Sequence, residues 1–139
     1  MKRRTLYYLG IDIGSLSCDA VVINGNGAIL ASSVGNLTLS SMCTVFAESE
    51  VVSLIAEGMG IAEIVNGLHR AIANRTQALV KRVVSNLEGL KVSMSGGVAH
   101  NRGVVKALGA VLGCEVAVPP KPDIVGAYGA ALIARDRSG

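Results

Sequence analysis

Apolar residues follow two rhythms along the chain, a short one at its start and a longer one after it. Residues 5–13, Thr-Leu-Tyr-Tyr-Leu-Gly-Ile-Asp-Ile, are apolar almost throughout and few in number, which predicts a buried strand. Residues 18–24, Cys-Asp-Ala-Val-Val-Ile-Asn, predict a second strand, and 28–34, Ala-Ile-Leu-Ala-Ser-Ser-Val, a third. Asn24-Gly25-Asn26-Gly27 lies between those two and reads as a hairpin turn, because Asn and Gly accept positive φ. The stretch 5–34 is therefore expected to form a three-stranded antiparallel meander.

The spacing then lengthens. Residues 35–43 are small and polar and read as a join. Thr44 is placed to cap a helix that starts at Val45 and runs until Gly58 and Gly60 break it. From Ile61 to Leu87 the positions Ile64, Val65, Leu68, Ile72, Leu79, Val83 and Leu87 recur with a period near 3.6, which predicts one long helix. Together these fill a helical segment, 44–88. A βαβα unit is expected over 90–136: strand 91–95, helix 101–112, strand 114–118, a stiff loop through Pro119, Pro120 and Pro122, and helix 124–135. The final helix is rich in Gly and Ala, which predicts close packing on a neighbouring backbone. A right-handed crossover makes the last two strands parallel. The order βββ-α-α-β-α-β-α is that of a single ribonuclease H-like α/β domain over 1–139. Its mixed five-stranded sheet joins the meander to two parallel strands, with helices on both faces.

Composition sharpens this picture. Half of the 139 residues are hydrophobic, mostly aliphatic, with one Phe and no Trp, as in a close-packed aliphatic core or an oligomer that hides apolar surface. The net charge is +3, and the basic residues are dispersed apart from Lys2, Arg3 and Arg4, which read as a solvated tail. No basic stripe interleaved with aromatics points to nucleic acid. No apolar run reaches the ~18 residues of a membrane span, and no leader is expected after the basic start. Three widely separated cysteines, Cys18, Cys43 and Cys114, argue against a disulfide framework and fit a reducing, cytoplasmic setting.

Three segments carry candidate chemistry. Asp12-Ile13-Gly14-Ser15-Leu16-Ser17 ends a strand on a carboxylate and turns through Gly and hydroxyl residues. Gly14 lets backbone N–H groups approach a phosphate, and Ser15 adds a hydroxyl donor. Asp12, repelled by phosphate, suits Mg²⁺-bound water. An ordinary strand turn with a capping Asp fits the same residues. Ser95-Gly96-Gly97-Val98-Ala99-His100-Asn101 lies between a strand and a helix, where paired glycines let a flat base or sugar rest on the backbone. A tight βα loop is the simpler reading, with His100 as a helix-start residue. Cys43, just before a helix, has its thiolate favoured by the dipole and suits a soft metal or an iron–sulfur cluster. A buried, inert Cys is the alternative, and Cys18 and Cys114 read as strand residues pointing into the core.

Taken together, the chain resembles the activator ATPases of 2-hydroxyacyl-CoA dehydratases and benzoyl-CoA reductases, within the actin, hexokinase and heat-shock chaperone superfamily. The resemblance rests on Leu9–Ser15, Cys43-Thr-Val-Phe-Ala-Glu-Ser-Glu-Val51, Gly67-Leu-His-Arg70, Ser95–Asn101 and Gly126-Ala-Tyr-Gly-Ala-Ala131. It implies a dimeric ATPase with a four-iron four-sulfur cluster between subunits that drives electron transfer to an acyl-CoA enzyme. Asp12, Gly14 and Ser15, with Leu16 and Ser17 beside them, match the first phosphate loop. Gly96, Gly97, Val98 and Asn101 match the adenosine loop, and Cys43 matches one of two cluster cysteines. The second phosphate loop and the other cluster cysteine are absent. Leu16 and Asp19 stand where Thr and Lys are frequent, and Asp123 where Gln is. The chain reads as the family's first meander joined to its last strands and helices.

From this follow the expectations of an ATP- or ADP-binding domain that works as a homodimer with Mg²⁺, weak or absent hydrolysis, and no stable cluster. Asp12 is the candidate catalytic residue, and a dehydratase or reductase the candidate partner. The competing expectation is a structural or interaction domain that keeps the fold without the chemistry.

Overall fold

In the computed structural model, residues 6–14, 17–36 and 41–137 are described. Strand β1 (Tyr7–Ile13) alternates strictly, with Leu9, Ile11 and Ile13 buried and Tyr8 and Gly10 exposed. Strand β2 (Ser17–Asn24) does the same through Cys18, Ala20 and Val22. Asn24 Oδ1 accepts from the backbone N–H groups of Asn26 and Ala28 and so closes the hairpin into β3 (Ile29–Asn36). These three strands are antiparallel, with a register shift at Val22/Ile23. Strand β4 (Leu90–Ser95) pairs parallel to β1, and the two-residue β5 (Val116–Ala117) pairs parallel to β4. The sheet order is β3-β2-β1-β4-β5, the mixed five-stranded arrangement expected.

Four helices accompany the sheet: α1 (Ser41–Ala56), α2 (Ile61–Val80), α3 (Arg102–Leu112) and α4 (Val125–Asp136). Helix α2 buries Ala73, Thr76, Leu79 and Val80, and α3 buries Val104, Leu108 and Leu112 at four-residue spacing. They close over Leu9, Ile11, Ile13, Val92 and Met94 to form the core. Thr76 is the buried polar residue among them, and it accepts a long hydrogen bond (3.9 Å) from Cys18 Sγ. The imidazole of His69 occupies the space a Cβ on Gly103 would need, which brings α2 and α3 close.

Several expectations are corrected. Helix α1 starts at Ser41, so Thr44 lies inside the helix rather than at its cap, and the join is shorter than 35–43. Small hydroxyl residues are tolerated in a first helical turn as well as before it. Helix α2 ends at Val80, not Leu87. Arg82 N–H bonds to Leu79 O and Val83 N–H to Val80 O, tightening the chain, yet Val83, Val84 and Leu87 still pack on the core. The apolar period continues there without the helix. Cys114 precedes β5 and is half-buried rather than a core strand residue. Helix α4 buries no residue, and a Cβ on Gly126 or Gly129 would meet nothing within 4 Å. Among the described residues, its glycines therefore do not pack on a neighbouring backbone.

Candidate functional site

Because β1 and β4 are adjacent and parallel, both deliver their C-terminal ends to one edge of the sheet. Asp12 and Ser95 are register partners there. Ser95 Oγ donates to Asp12 Oδ2 at 2.5 Å, fixing the carboxylate at the strand end. The next residue, Gly96, has φ +87°, and a Cβ on it would sit on the Ile13 carbonyl, 2.7 Å from Ile13 C and 3.0 Å from Asp12 Oδ1. The two glycine loops read separately in the sequence are thus in contact.

Around the first loop, Gly14 N–H donates to Ser17 O at 3.0 Å and holds the β1–β2 turn. Among the described residues, a Cβ on Gly14 would meet Ser17 O and Oγ, at 3.8 and 3.9 Å. Ser17 is the half-buried first residue of β2, while Ser15 and Leu16 lie outside the described residues. Asp19 stands directly opposite Asp12 in the antiparallel register, and its Oδ1 is buried without a hydrogen bond. Two carboxylates therefore face each other across the strands that lead into the loop.

Around the second loop, Gly96 N–H donates to Pro122 O at 2.9 Å. Gly97–His100 forms a short 3₁₀ turn in which Val98 packs on the core and Gly97 is exposed with nothing within 4 Å of a Cβ. Asn101 caps α3, its Oδ1 accepting from Gly103 N–H at 3.0 Å and Val104 N–H at 3.3 Å. His100 Nε2 lies 3.1 Å from Asp123 Oδ1. Asp123's own backbone N–H, then His100, hold its carboxyl below the usual carboxylate range. The sequence had flagged Asp12, Gly14, Gly96 and Gly97; it gave no sign of the Ser95–Asp12 and His100–Asp123 contacts, because each joins segments far apart in the chain.

Cys43 lies in the first turn of α1, inside the helix rather than before it, and its side chain is outside the description. Cys18 is buried against Thr76, its thiol pushed up chiefly by burial, and burial also raises Cys114. Cys18 is turned into the core and Cys114 lies beyond the end of α3. Among the described residues no group of three His, Cys, Asp or Glu side chains is set to hold a metal ion. A depression lined by Gln77, Val84, Leu87 and Cys114 lies at the opposite end of β4, away from both glycine loops. No helix among the described residues is long and apolar enough to cross a membrane.

Comparison with known proteins identifies the chain's relatives. A model of the BadF/BadG/BcrA/BcrD ATPase family matches residues 35–134. The chain is 44% identical over 112 residues to the 2-hydroxyisocaproyl-CoA dehydratase activator of Clostridioides difficile, covering 81% of this chain and 41% of that protein. It is 48% identical over 96 residues to the activator of lactoyl-CoA dehydratase of Anaerotignum propionicum, covering 69% and 36%. The chain thus spans about two-fifths of the length of the curated relatives it matches. Among solved structures, the activator of 2-hydroxyisocaproyl-CoA dehydratase from Clostridium difficile with bound ADPNP superposes with a TM-score of 0.80 at 32% identity, covering 94% of this chain and 60% of that one.

Proposed function

Because the chain belongs to the BadF/BadG/BcrA/BcrD ATPase family, we propose that it binds ATP and ADP across the paired glycine loops at the shared end of β1 and β4. The observation that carries this reading is the contact of Gly96 with Ile13 and Asp12, which makes one site of two loops. Gly14, Ser15, Leu16 and Ser17 supply the phosphate-side backbone and hydroxyl groups. Gly96, Gly97 and Val98 support the nucleoside, and Asn101 holds that loop at the start of α3. Asp12, oriented by Ser95, would hold Mg²⁺ through water, where the ion would offset phosphate charge.

In this reading the protein is an activator-type module for an acyl-CoA dehydratase or reductase, working as a homodimer. A two-fold partner supplies the second phosphate hairpin that one copy lacks. Hydrolysis is slow or absent. Asp19 adds a second carboxylate opposite Asp12, which works against the approach of phosphate. Asp19 is also the observation that favours the alternative, a nucleotide-free interaction domain. Titration calorimetry with ATP and Mg²⁺ separates the two. Nucleotide binding is expected, weakened at least about tenfold in Gly14→Val, whose side chain would obstruct the approach of a phosphate to the turn backbone. Equal binding by parent and variant would sink the site assignment.

A further inference from the structure

Helix α2 holds α3 at two levels. Near the start of α3, the imidazole of His69 fills the place of a Cβ on Gly103. That Cβ would sit 3.0 Å from Nε2 and closer still to Nδ1 and Cε1. Near the other end, Gln77 Nε2 donates to the Val111 carbonyl. The two levels lie eight residues apart on each helix, about 12 Å of rise, so α2 and α3 run side by side in the same direction. Between the levels Ala73, Thr76, Val104 and Leu108 are buried. His69 is only half-buried and is not one of these core residues. It stands at the rim, over the first turn of α3.

Gly103 has a second duty in that turn. Its N–H donates to Asn101 Oδ1 at 3.0 Å, as Val104 N–H does at 3.3 Å. Asn101 donates its own N–H to Val98 O at 2.9 Å and so closes the short turn Gly97–His100. A continuous run of contacts therefore leads from His69 through Gly103 and Asn101 to the loop after β4. The other end of that loop is fixed to the sheet, by Gly96 against Ile13 and by Gly96 N–H to Pro122 O. A flat imidazole is stiffer than a long unbranched chain such as Met, so a ring seated on bare backbone sets the spacing of two helices closely. Gly103 permits this seat, because a side chain there would push the ring away.

We propose that His69 is a positioning residue of the nucleotide site: seated on Gly103, it holds the Asn101 cap, and through it Gly97 and Val98, in register with the end of the sheet. The proposal rests on the nucleotide-binding reading above and adds to it a residue that acts through the loop. Calorimetric titration with ADP and Mg²⁺ tests His69→Ala, Gly103→Ala, the double variant and His69→Phe, with denaturant midpoints measured alongside. Each alanine substitution alone is expected to weaken ADP binding about tenfold, because losing or displacing the ring lets the loop shift. The double variant is expected to bind as His69→Ala does, since a methyl on Gly103 has nothing to displace once the ring is gone. His69→Phe returns a flat ring to the same seat and is expected to bind ADP within about threefold of the parent. Without ligand, amide exchange at Gly103 and Val104 is expected to quicken in His69→Ala while that at Leu108 and Leu112 stays slow. A purely structural His69 would lower the denaturant midpoint and leave ADP affinity at the parental value. That result overturns the positioning role while leaving nucleotide binding in place. So do penalties that multiply in the double variant, a Phe variant as weak as the Ala variant, or unchanged exchange at Gly103. A parent that binds no ADP overturns both readings.

Discussion

Gly96 is the residue on which the two loops depend. Its φ of +87° is open to glycine at little cost, and its missing side chain is what lets the chain pass over the Ile13 carbonyl. Gly96→Ala combines a left-handed strain with a backbone clash and is expected to cost about 2–3 kcal/mol of unfolding free energy, read as a lower denaturant midpoint. A cost below about 0.5 kcal/mol would mean that the contact is not formed. Cys18 gives a different handle. Its thiol is raised in the folded state, chiefly by burial, so folding favours the protonated form. Stability from this group is complete below the unfolded thiol value of about 8.5 and falls as pH rises from there toward the folded value. Melting temperature is therefore expected to drop above about pH 8.5, and less steeply in Cys18→Ala. The same slope in both proteins would remove Cys18 as its source.

Among the elements, those with local signals were the ones the sequence disclosed. The short apolar runs of β1 and β2 and the Asn-Gly turn predicted the meander, and the helix expected over 101–112 matches α3. What escaped was anything settled by distant packing. Val83, Val84 and Leu87 keep a helical period because the core holds them, although the backbone has left the helix at Val80. Composition likewise suggested that α4 packs closely, yet it buries nothing among the described residues. The candidate site shows the same division. Both glycine loops were visible as motifs, but their contact depends on β4 entering the sheet beside β1, as does the Ser95 bond to Asp12. The unequal burial of the helices has a measurable consequence. Hydrogen exchange over 125–136 is expected to be far faster than over 102–112, where Val104, Leu108 and Leu112 are buried. Equal protection in the two helices would show that α4 is covered in solution, and so locate a docked surface.

For the molecule as a whole, the distribution of apolar residues argues for a second copy. Strand β3 is an outer strand of the sheet, carries no charged residue, and exposes Ile29, Leu30 and Val34. Natural sheets commonly protect such edges with charges or proline. Helices α1 and α2 add Val52, Ile55, Ile61 and Val65 to the exposed apolar surface. The proposed nucleotide site supplies the second reason. On that proposal one chain presents a single phosphate turn, and a two-fold axis repeats that turn without new residues. If the partner completes the site, nucleotide and subunit contacts are linked, and each must strengthen the other by the same factor. The expected result is a mass, measured by light scattering over a concentration series, that rises toward twice 14.2 kDa and does so at lower protein concentration when ATP and Mg²⁺ are present. Gly14→Val should keep the basal association and lose the nucleotide-dependent part, because only the linkage runs through the turn. A monomeric mass under every condition would leave the site without its second half. Association that is identical with and without nucleotide would place the interface elsewhere, on the apolar edge alone.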